Sequence, residues 1–474
     1  MSILDKIRIQ SLGQIRPTKS DVKKAYTVFN KVRHTLRQET ETKKIEVTFI
    51  ELEGSAGRKQ TQLKGQNELD VFVGLPVANL SKSTTKKSFP KSVIRRYLKT
   101  MVETIALPAM KRIQPSEIQV AYAEHPYLIS QIGDYRVDVV FCFDLTQEYI
   151  LKNGPITAVD RTPHHSKFVQ KHLTTNQRDE VRLLKAFFQS VFAYGDSSPV
   201  GRSGFTGFST EMLIFHMKSL EFALEYLTHH IPQPLDYFNR TPKVIQQQFP
   251  QDFFFISDPI DPNRNIVSSV SHRAYRYTTQ RAKEFLKTPS LNVFERKPVP
   301  ILSNTEMKQF EPNYFVIEFE DLTGWHYTKT RDKLYRLFAK LSKFLKNEPT
   351  GEPRFGGVIF EELFQKNVFA VALFIEKIQI SQSYTRAGPP ENYVEGCKQF
   401  LKRHPRAILK NGRYYITVSR EFTDADKAIR DFLLKNQISP RVRIIEISRN
   451  GSLNLGKQAL WILIHAVQPF SKLD

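Results

Sequence analysis

The sequence of 474 residues contains little cysteine, since only Cys142 and Cys397 are present. Two thiols are too few for a disulfide framework or a four-cysteine zinc site. Long apolar runs are also absent, and no segment reaches the roughly 20 residues that a membrane-spanning helix needs. The first ten residues, MSILDKIRIQ, lack the apolar core of a secretory signal. We therefore expect a cytoplasmic protein in a reducing compartment, with no membrane partner.

Acidic residues are scarce relative to basic ones. Asp and Glu total 48 against 70 Lys and Arg, which gives a net charge of +22 and an isoelectric point near 9.7. This excess is larger than solubility requires, and it favours a polyanionic partner held through phosphate contacts. The basic clusters are spread along the chain: Lys82, Lys86, Lys87, Lys91, Arg95 and Arg96; Arg281, Lys283 and Lys287; Lys340, Lys343 and Lys346; Lys398, Lys402, Arg403 and Arg406.

Internal repeats and low-complexity tracts are absent, and the apolar pattern divides the chain into three domains. The fold class that this pattern predicts is α+β. Residues 1–157 indicate a small mixed sheet with helices, residues 158–288 a mainly helical domain, and residues 289–474 alternating strands and helices. The predicted helices are 20–40 (capped by Ser20), 91–106, 177–193, 209–229, 328–346, 391–403 and 423–435. The predicted strands are 45–49, 69–73, 117–123, 134–143, 313–320, 355–380 and 412–419.

The residues with the clearest chemical meaning are carboxylates on predicted strands. Glu68 and Asp70 are two residues apart, so both side chains share one face of their strand. Asp138 lies between apolar residues on another strand, where a carboxylate is costly unless it is paired or bound to metal. Carboxylate oxygens are the ligands that Mg²⁺ prefers. Glu68, Asp70 and Asp138 are therefore candidate catalytic residues and metal ligands for a two-metal transfer of a nucleotide.

A glycine–serine pair, Gly54-Ser55, ends the strand that precedes this acidic pair. Backbone N–H groups and a hydroxyl in such a turn are suited to bind phosphate oxygens. Alone, the pair also fits an ordinary turn. Combined with an acidic pair thirteen residues later and an isolated strand aspartate, it resembles the DNA polymerase β-like nucleotidyltransferase superfamily.

Further motifs narrow the resemblance to the archaeal-type (class I) CCA-adding enzymes, which are tRNA nucleotidyltransferases of that superfamily. They follow the family order over essentially the whole chain: Leu63-Lys64-Gly65, Tyr122-Ala123-Glu124-His125-Pro126-Tyr127, Ala158-Val159-Asp160-Arg161-Thr162-Pro163-His164-His165, Glu180-Val181-Arg182-Leu183-Leu184-Lys185, Tyr194-Gly195, Gly204-Phe205-Thr206-Gly207-Phe208, Asp261-Pro262-Asn263-Arg264-Asn265 and Gly388-Pro389-Pro390. Each motif alone is weak, but their shared order is specific.

The resemblance implies a function and a set of roles. The chain would add C, C and A in turn to the 3′ end of tRNA from CTP and ATP, release pyrophosphate, and use two Mg²⁺ ions held by the three carboxylates. Its parts would be a nucleotidyltransferase palm, a helical central domain and a C-terminal α+β RNA-binding region, which together bind the acceptor stem and TψC arm. The residues implied to bind the nucleotide are Gly54, Ser55, Arg58, His165, Lys185, Tyr194 and Arg264.

Several alternatives stay open at this stage. Lys185 also fits the solvated edge of a helix, Tyr194 a packing aromatic, and Arg264 a brace for its loop. Ser166 interrupts the histidine-rich run, so His164 competes with His165, and the role of His125 is undecided. Rival functions are another polymerase β-like transferase, such as a poly(A) polymerase or an oligoadenylate synthetase, and an inactive RNA-binding protein. Whether the chain forms a homodimer is also open.

Overall fold

A computed structural model of the chain describes residues 3–78, 90–122, 125–229, 232–310 and 312–471. Lys82, Lys86 and Lys87 of the first basic cluster lie outside these ranges, as do Ala123 and Glu124. The chain forms two compact units, Met1–Ser198 with Ser203–Lys297, and Pro199–Arg202 with Pro298–Asp474. The predicted boundary at residue 157 falls inside the first unit, so separate palm and central domains stay a prediction.

A five-stranded sheet organises the first part of the first unit. Its strands are β1 (Phe49–Glu53), β2 (Glu68–Leu75), β3 (Glu117–Tyr122), β4 (Pro126–Ile132) and β5 (Tyr135–Phe143). They lie in the order β1-β2-β5-β4-β3, and only β2 and β5 are parallel neighbours. The interior strand β2 is nearly all apolar after Asp70, as expected for a strand covered on both faces.

The helices of this first part are α1 (Ile3–Ile15), α2 (Lys19–Thr42), α3 (Lys91–Met101), α4 (Leu107–Lys111) and α5 (Gln147–Asn153), with a π-helical turn, Val102–Ala106, between α3 and α4. The N-cap of α2 is Thr18 rather than Ser20. Its hydroxyl accepts a hydrogen bond from the Asp21 N–H while the Asp21 carboxylate accepts one from the Thr18 N–H, which forms a capping box.

Three other predictions for this part need correction. The strand predicted over 45–49 begins only at Phe49, because residues 45–48 connect α2 to the sheet without pairing as a strand. Strand β4 was not predicted, since Pro126 weakens a strand pattern, although the first residue of a strand tolerates proline. Helical structure after Lys91 continues past residue 106 to Lys111, because Pro108 occupies a first-turn position where its missing N–H costs little.

The remainder of the first unit is helical. It contains a 3-10 turn (Ala158–Arg161), α6 (Thr162–His172), α7 (Thr175–Ser190), α8 (Gly207–Met217), α9 (Leu220–Leu227), α10 (Pro242–Gln248), α11 (His272–Lys287) and a second 3-10 turn (Leu291–Phe294). The single helix predicted over 209–229 is two helices. Lys218 takes a left-handed conformation, with φ at 72°, and the Ser219 hydroxyl caps α9 by accepting from the Phe222 N–H.

The second unit contains two sheets with helices. Its elements are α12 (Asn304–Phe310), β6 (Tyr314–Asp321), α13 (Tyr327–Lys346), β7 (Val358–Gln365), β8 (Val368–Ile375), β9 (Ser383–Pro390), α14 (Val394–Arg403), β10 (Ile408–Lys410), β11 (Arg413–Ser419), α15 (Ala425–Lys435), β12 (Val442–Ser448) and α16 (Asn454–Ile462), then a π-helical turn (Leu463–Val467) and a 3-10 turn (Gln468–Phe470). The sheet orders are β12-β6-β8-β7 and β10-β11-β9.

The core of the second unit lies between its larger sheet and helices α13 and α15. Phe315, Phe338, Phe369 and Ile429 are fully buried there. Strands β9 and β12 were not predicted, because β9 ends in Gly388-Pro389-Pro390 and β12 exposes Ile444 and its neighbours instead of alternating. Helices and sheets occur in both units, and the predicted α+β class is confirmed.

The structure also describes the state of the two cysteines and the character of the helices. Cys142 and Cys397 are both buried free thiols. Across the described ranges, no helix combines the length and the apolar composition that crossing a lipid bilayer demands.

Candidate active site

Three carboxylates lie together on the adjacent strands β2 and β5. The parallel register places Asp70 directly beside Asp138, and Glu68 precedes Asp70 by two residues. Residues two apart share one face of a strand, and in-register neighbours share it too. The pKa of Asp70 is raised to about 6, first by burial and then by the negative charges of Asp138 and Glu68. The structure therefore brings the three predicted carboxylates into one acidic cluster.

Arg136 partly neutralises this acidic cluster. It precedes Asp138 by two residues on β5, and its Nε and Nη2 donate to the two carboxylate oxygens of Asp138 at 2.9 and 3.0 Å. In the part of the chain that the structure describes, no three Asp, Glu, His or Cys side chains are already arranged as a metal site. Asp138 directs both oxygens at Arg136, which is therefore its charged partner in this structure.

The Gly54-Ser55 turn lies against Asp70. Gly54 is opposite the acidic cluster at the end of β1 and has φ at 64°, and a Cβ on it would meet the Asp70 Oδ2 atom at 2.0 Å. Gly57 is equally constrained, since a Cβ there would lie 2.0 Å from the Leu52 carbonyl oxygen. Only glycine fits at both positions, and the turn is thereby held next to the carboxylates.

Arg58 follows this turn but does not contact the acidic cluster. Its Nη2 forms an ion pair with the Glu51 carboxylate, and both side chains are 30% exposed. In this structure the partner of Arg58 is therefore Glu51, within a half-buried ion pair.

Lys185 and Tyr194 meet at the beginning of α8. A Cβ on Gly207, the first residue of α8, would lie 3.4 Å from the Tyr194 hydroxyl oxygen and 3.7 Å from Lys185 Nζ. The Lys185 side chain is only 1% exposed, and its Nζ donates to the carbonyl and hydroxyl oxygens of Thr61, each at 3.0 Å. The solvated helix edge considered for Lys185 is thus wrong. Burial raises the pKa of Tyr194, and the charges of Glu211 and Glu68 raise it further.

His165 and Arg264 share a single buried carboxylate, Asp258. His165 Nε2 lies 2.9 Å from both Asp258 carboxylate oxygens, and Arg264 Nη1 donates to Oδ2, also at 2.9 Å. The His165 ring stacks on Phe208 with 3.9 Å between centroids. Burial lowers the pKa of His165, and the charge of Asp258 opposes this fall. His164 points elsewhere, with Nε2 2.8 Å from the Leu145 carbonyl oxygen.

A protein-family model and several curated proteins that are similar to this chain point to the same activity. The family model "tRNA nucleotidyltransferase, second domain" matches residues 179–295. The CCA-adding enzyme of Saccharolobus islandicus (strain M.14.25) is 29% identical over 437 residues, covering 90% of this chain and 92% of that one. That of Pyrobaculum neutrophilum is 27% identical over 435 residues, covering 91% and 94%. The chain is thus similar to archaeal CCA-adding enzymes over most of its length, and these comparisons support CCA tRNA nucleotidyltransferase activity.

The solved structures are more distant from this chain. The RNA terminal uridylyl transferase Cid1 aligns over 62% of this chain and 99% of its own, with a TM-score of 0.45 and 12% identity. The protein mtPAP, solved with UTP, aligns over 61% and 69% with a TM-score of 0.44 and 14% identity.

Several residues at the candidate site were not assigned a role from the sequence. The missed residues are Lys59, Thr61, Arg136, Phe208, Glu211 and Asp258. Two of them carried a signal. Arg136 and Asp138 are two residues apart, so their side chains share one face of the strand. Glu211 directly precedes the apolar residues Met212–Ile214, and an unpaired charge in such surroundings is costly. Asp258 carried none, because its partners come from distant parts of the sequence.

Proposed function

We propose that the chain adds C, C and A successively to tRNA that lacks its 3′ end, using CTP and ATP and releasing pyrophosphate. The observation that supports this most directly is the in-register pair Asp70 and Asp138 beside the Gly54-Ser55 turn. Nucleotidyl transfer requires metal-binding carboxylates and hydrogen-bond donors for the phosphates. The three carboxylates, of which Asp70 has a raised pKa, and the backbone N–H groups of the turn are suited to these two tasks. The archaeal relatives carry the same activity in their names.

Glu68, Asp70 and Asp138 would hold two Mg²⁺ ions, since carboxylate oxygens are the hard donors that Mg²⁺ prefers. Burial and the negative charges of Asp138 and Glu68 raise the pKa of Asp70, an effect that a bound cation would offset. In this structure Arg136 forms an ion pair with Asp138. When bound, such metals lower the pKa of an attacking 3′-hydroxyl and neutralise the leaving pyrophosphate. The three carboxylates would hold that positive charge beside the Gly54-Ser55 turn.

The nucleotide-binding residues come from two sides of the acidic cluster. Gly54 and Ser55 offer backbone N–H groups and a hydroxyl, and Arg58 becomes a phosphate ligand when it leaves Glu51. On the other side Tyr194 and Lys185 end beside the first turn of α8, where backbone N–H groups favour an anion. Lys185 acts mainly through Thr61, since it is buried against that residue.

His165 and Arg264 would line the base side of the same site. CTP and ATP share an exocyclic amino group, whereas UTP and GTP carry a carbonyl at the corresponding edge. A buried polar site that pairs with the amino group rejects the carbonyl by leaving groups unpaired. The Arg264 side chain is 36% exposed and is held by Asp258, so its remaining donors can face a ligand.

The tRNA would be bound by shape, through contacts to phosphates of the acceptor stem and TψC arm. The net charge of +22 supports this interpretation, and the basic residues are spread over all parts of the chain. Distributed phosphate contacts without base recognition suit a substrate class whose members share a shape but not a sequence. Because counterions are released on binding, tRNA affinity should fall steeply with salt, linearly in log–log form. Cytoplasmic location belongs to the same proposal.

The test of this function uses tRNA truncated before CCA, labelled CTP and ATP, and product lengths at single-nucleotide resolution. We expect stepwise addition of two C residues and then one A, with addition stopping there. Long A tails with ATP alone would instead indicate a poly(A) polymerase. Binding of tRNA without any release of pyrophosphate would indicate an inactive RNA-binding protein.

A further inference from the structure

A buried network of charges connects three segments of the first unit around Glu211. Glu211 lies on α8 with its side chain 1% exposed. Its Oε2 accepts from Lys59 Nζ at 2.8 Å, and its Oε1 accepts from the Thr61 hydroxyl at 2.6 Å. Lys185 Nζ on α7 lies 3.6 Å from Glu211 Oε1. A single carboxylate is therefore the common partner of two buried ammonium groups and one hydroxyl.

Lys59 and Thr61 belong to the loop from Ser55 to Gln62, which follows the Gly54-Ser55 turn. The Thr61 N–H donates to the Ser55 carbonyl oxygen at 3.0 Å, so the position of Thr61 fixes that of Ser55. Helix α7 holds the same loop from another direction, because Arg182 donates to the carbonyl oxygens of Gln60 and Gln62. The loop beside the acidic cluster is thus held by side chains rather than by strand pairing.

Charge balance makes Glu211 necessary to this network. Burial alone would raise the pKa of Glu211, but Lys59 and Lys185 lower it below its ordinary value. The pKa of Lys185 is lowered to about 8 by burial, and the charge of Glu211 opposes this fall. Without Glu211, two ammonium groups would be buried with no counter-charge, and ionised partners of that kind separate or lose their proton.

We propose that Glu211 is a positioning residue for nucleotide binding, which holds the loop from Ser55 to Gln62 and the Lys185 ammonium group in the places that the triphosphate requires. The inference rests on the proposed function in one respect, the assignment of this loop to the triphosphate. Because the network contacts neither the base nor the sugar by this account, its loss must weaken CTP and ATP binding by the same factor.

The experiment measures the dissociation constants of CTP and ATP by calorimetry, with Mg²⁺ and without tRNA, together with the thermal midpoint. Glu211→Gln keeps the shape of the side chain and removes its charge. We expect both dissociation constants to rise by roughly ten- to a hundredfold, the factor that corresponds to a hydrogen bond with a charged group. The matched control is Glu180→Gln on α7, whose carboxylate partners are Arg8 and the Leu220 N–H. The control should lower the thermal midpoint and leave both constants within about twofold of the wild type.

Unchanged dissociation constants in Glu211→Gln, whatever its thermal midpoint, would overturn the proposal, as would a change confined to one nucleotide. If Glu211→Gln does not fold, Thr61→Val replaces it. This variant removes the hydroxyl that links Glu211 to Lys185, and it should weaken both nucleotides about tenfold. A wild type that binds CTP and ATP but does not extend tRNA would refute the proposed function and leave this inference testable. A wild type that binds neither nucleotide would refute both.

Discussion

Two aspartates of the first unit differ in how their charge is balanced. Asp258 is fully buried and is met by His165 and Arg264, and despite its burial these partners lower its pKa well below the ordinary value. Asp70 is next to two further carboxylates, and its pKa is raised to about 6. Asp258 therefore has hydrogen-bonding and charged partners from the fold, whereas the nearest charges to Asp70 include two further carboxylates.

This difference separates a positioning carboxylate from a ligand-binding one. A carboxylate with all its partners in place rigidifies its surroundings, as Asp258 does for His165 and Arg264. A carboxylate that is destabilised in the free protein is poised to bind a cation, and such groups concentrate at functional sites. We accordingly expect Asp70 to bind a cation during the reaction, and Asp258 to hold His165 and Arg264 in position.

The largest effect should come from Asp70→Asn. An amide is uncharged and a poor metal ligand, so nucleotide transfer should fall by about a thousandfold or more, consistent with several kcal/mol of transition-state stabilisation from bound metal. Affinity for tRNA should survive, because phosphate contacts lie elsewhere. Single-turnover rates and tRNA dissociation constants measure both. Near-normal turnover with Mg²⁺ would remove Asp70 from the metal site.

Asp258→Asn should mainly reduce the stability of the protein, whereas Asp70→Asn should mainly reduce the rate of nucleotide transfer. Two charge-assisted or polar contacts weaken at once, and we expect a loss of roughly 1.5–3 kcal/mol in the free energy of unfolding. Urea unfolding with tryptophan or far-ultraviolet detection gives this quantity. The comparison between the two aspartates would break down if Asp70→Asn were the more destabilising substitution.

A smaller and more selective effect is expected from Arg264→Ala. If Arg264 lies beside the base, C-versus-U and A-versus-G discrimination should fall more than phosphate affinity does, by a factor of roughly ten to a hundred. Arg264→Lys is the matched control, since it keeps the charge but not the planar fork. The readout is single-turnover incorporation of all four nucleotides on tRNAs ending before C, after C and after CC. A uniformly reduced rate with unchanged ratios would assign Arg264 to bracing its loop.

Local pattern was sufficient to predict the acidic cluster. The spacing of Glu68 and Asp70 specifies one strand face, and the isolated Asp138 indicates a second strand, so only the pairing of β2 with β5 had to come from the structure. Helices α2 and α7 were likewise predictable because their apolar periodicity is long. Strands β9 and β12 were not, because they lack the alternation that identifies a strand.

Partners distant in sequence were beyond local pattern. Asp258 meets His165 across 93 positions, and Thr61 meets Glu211 across 150. Lys185 is an example. The sequence predicted that its ammonium group binds phosphate or lies at the solvated edge of a helix, and it did not predict burial against Thr61. The role of such a charged residue depends on its tertiary contacts, which composition and spacing do not predict.

The central claim is that Asp70 lacks a positive charge which a divalent cation supplies. Its pKa in the folded chain is raised from an ordinary value of 3.8 to about 6, so its ionisation should reduce stability progressively as the pH rises through that window. Asp258 has a lowered pKa and contributes in the opposite sense, losing its stabilising effect only as the pH falls. Subtracting the stability of Asp70→Asn from that of the wild type isolates the Asp70 contribution.

The direct measurement is therefore the difference in thermal midpoint between the wild type and Asp70→Asn from pH 4 to pH 7, with chelator and with Mg²⁺. With chelator, the wild type should lose stability relative to the variant as the pH rises from about 4 to about 6. Adding Mg²⁺ at pH 7 should restore the wild type and leave the variant nearly unchanged. A difference that is independent of both pH and Mg²⁺ would contradict the account.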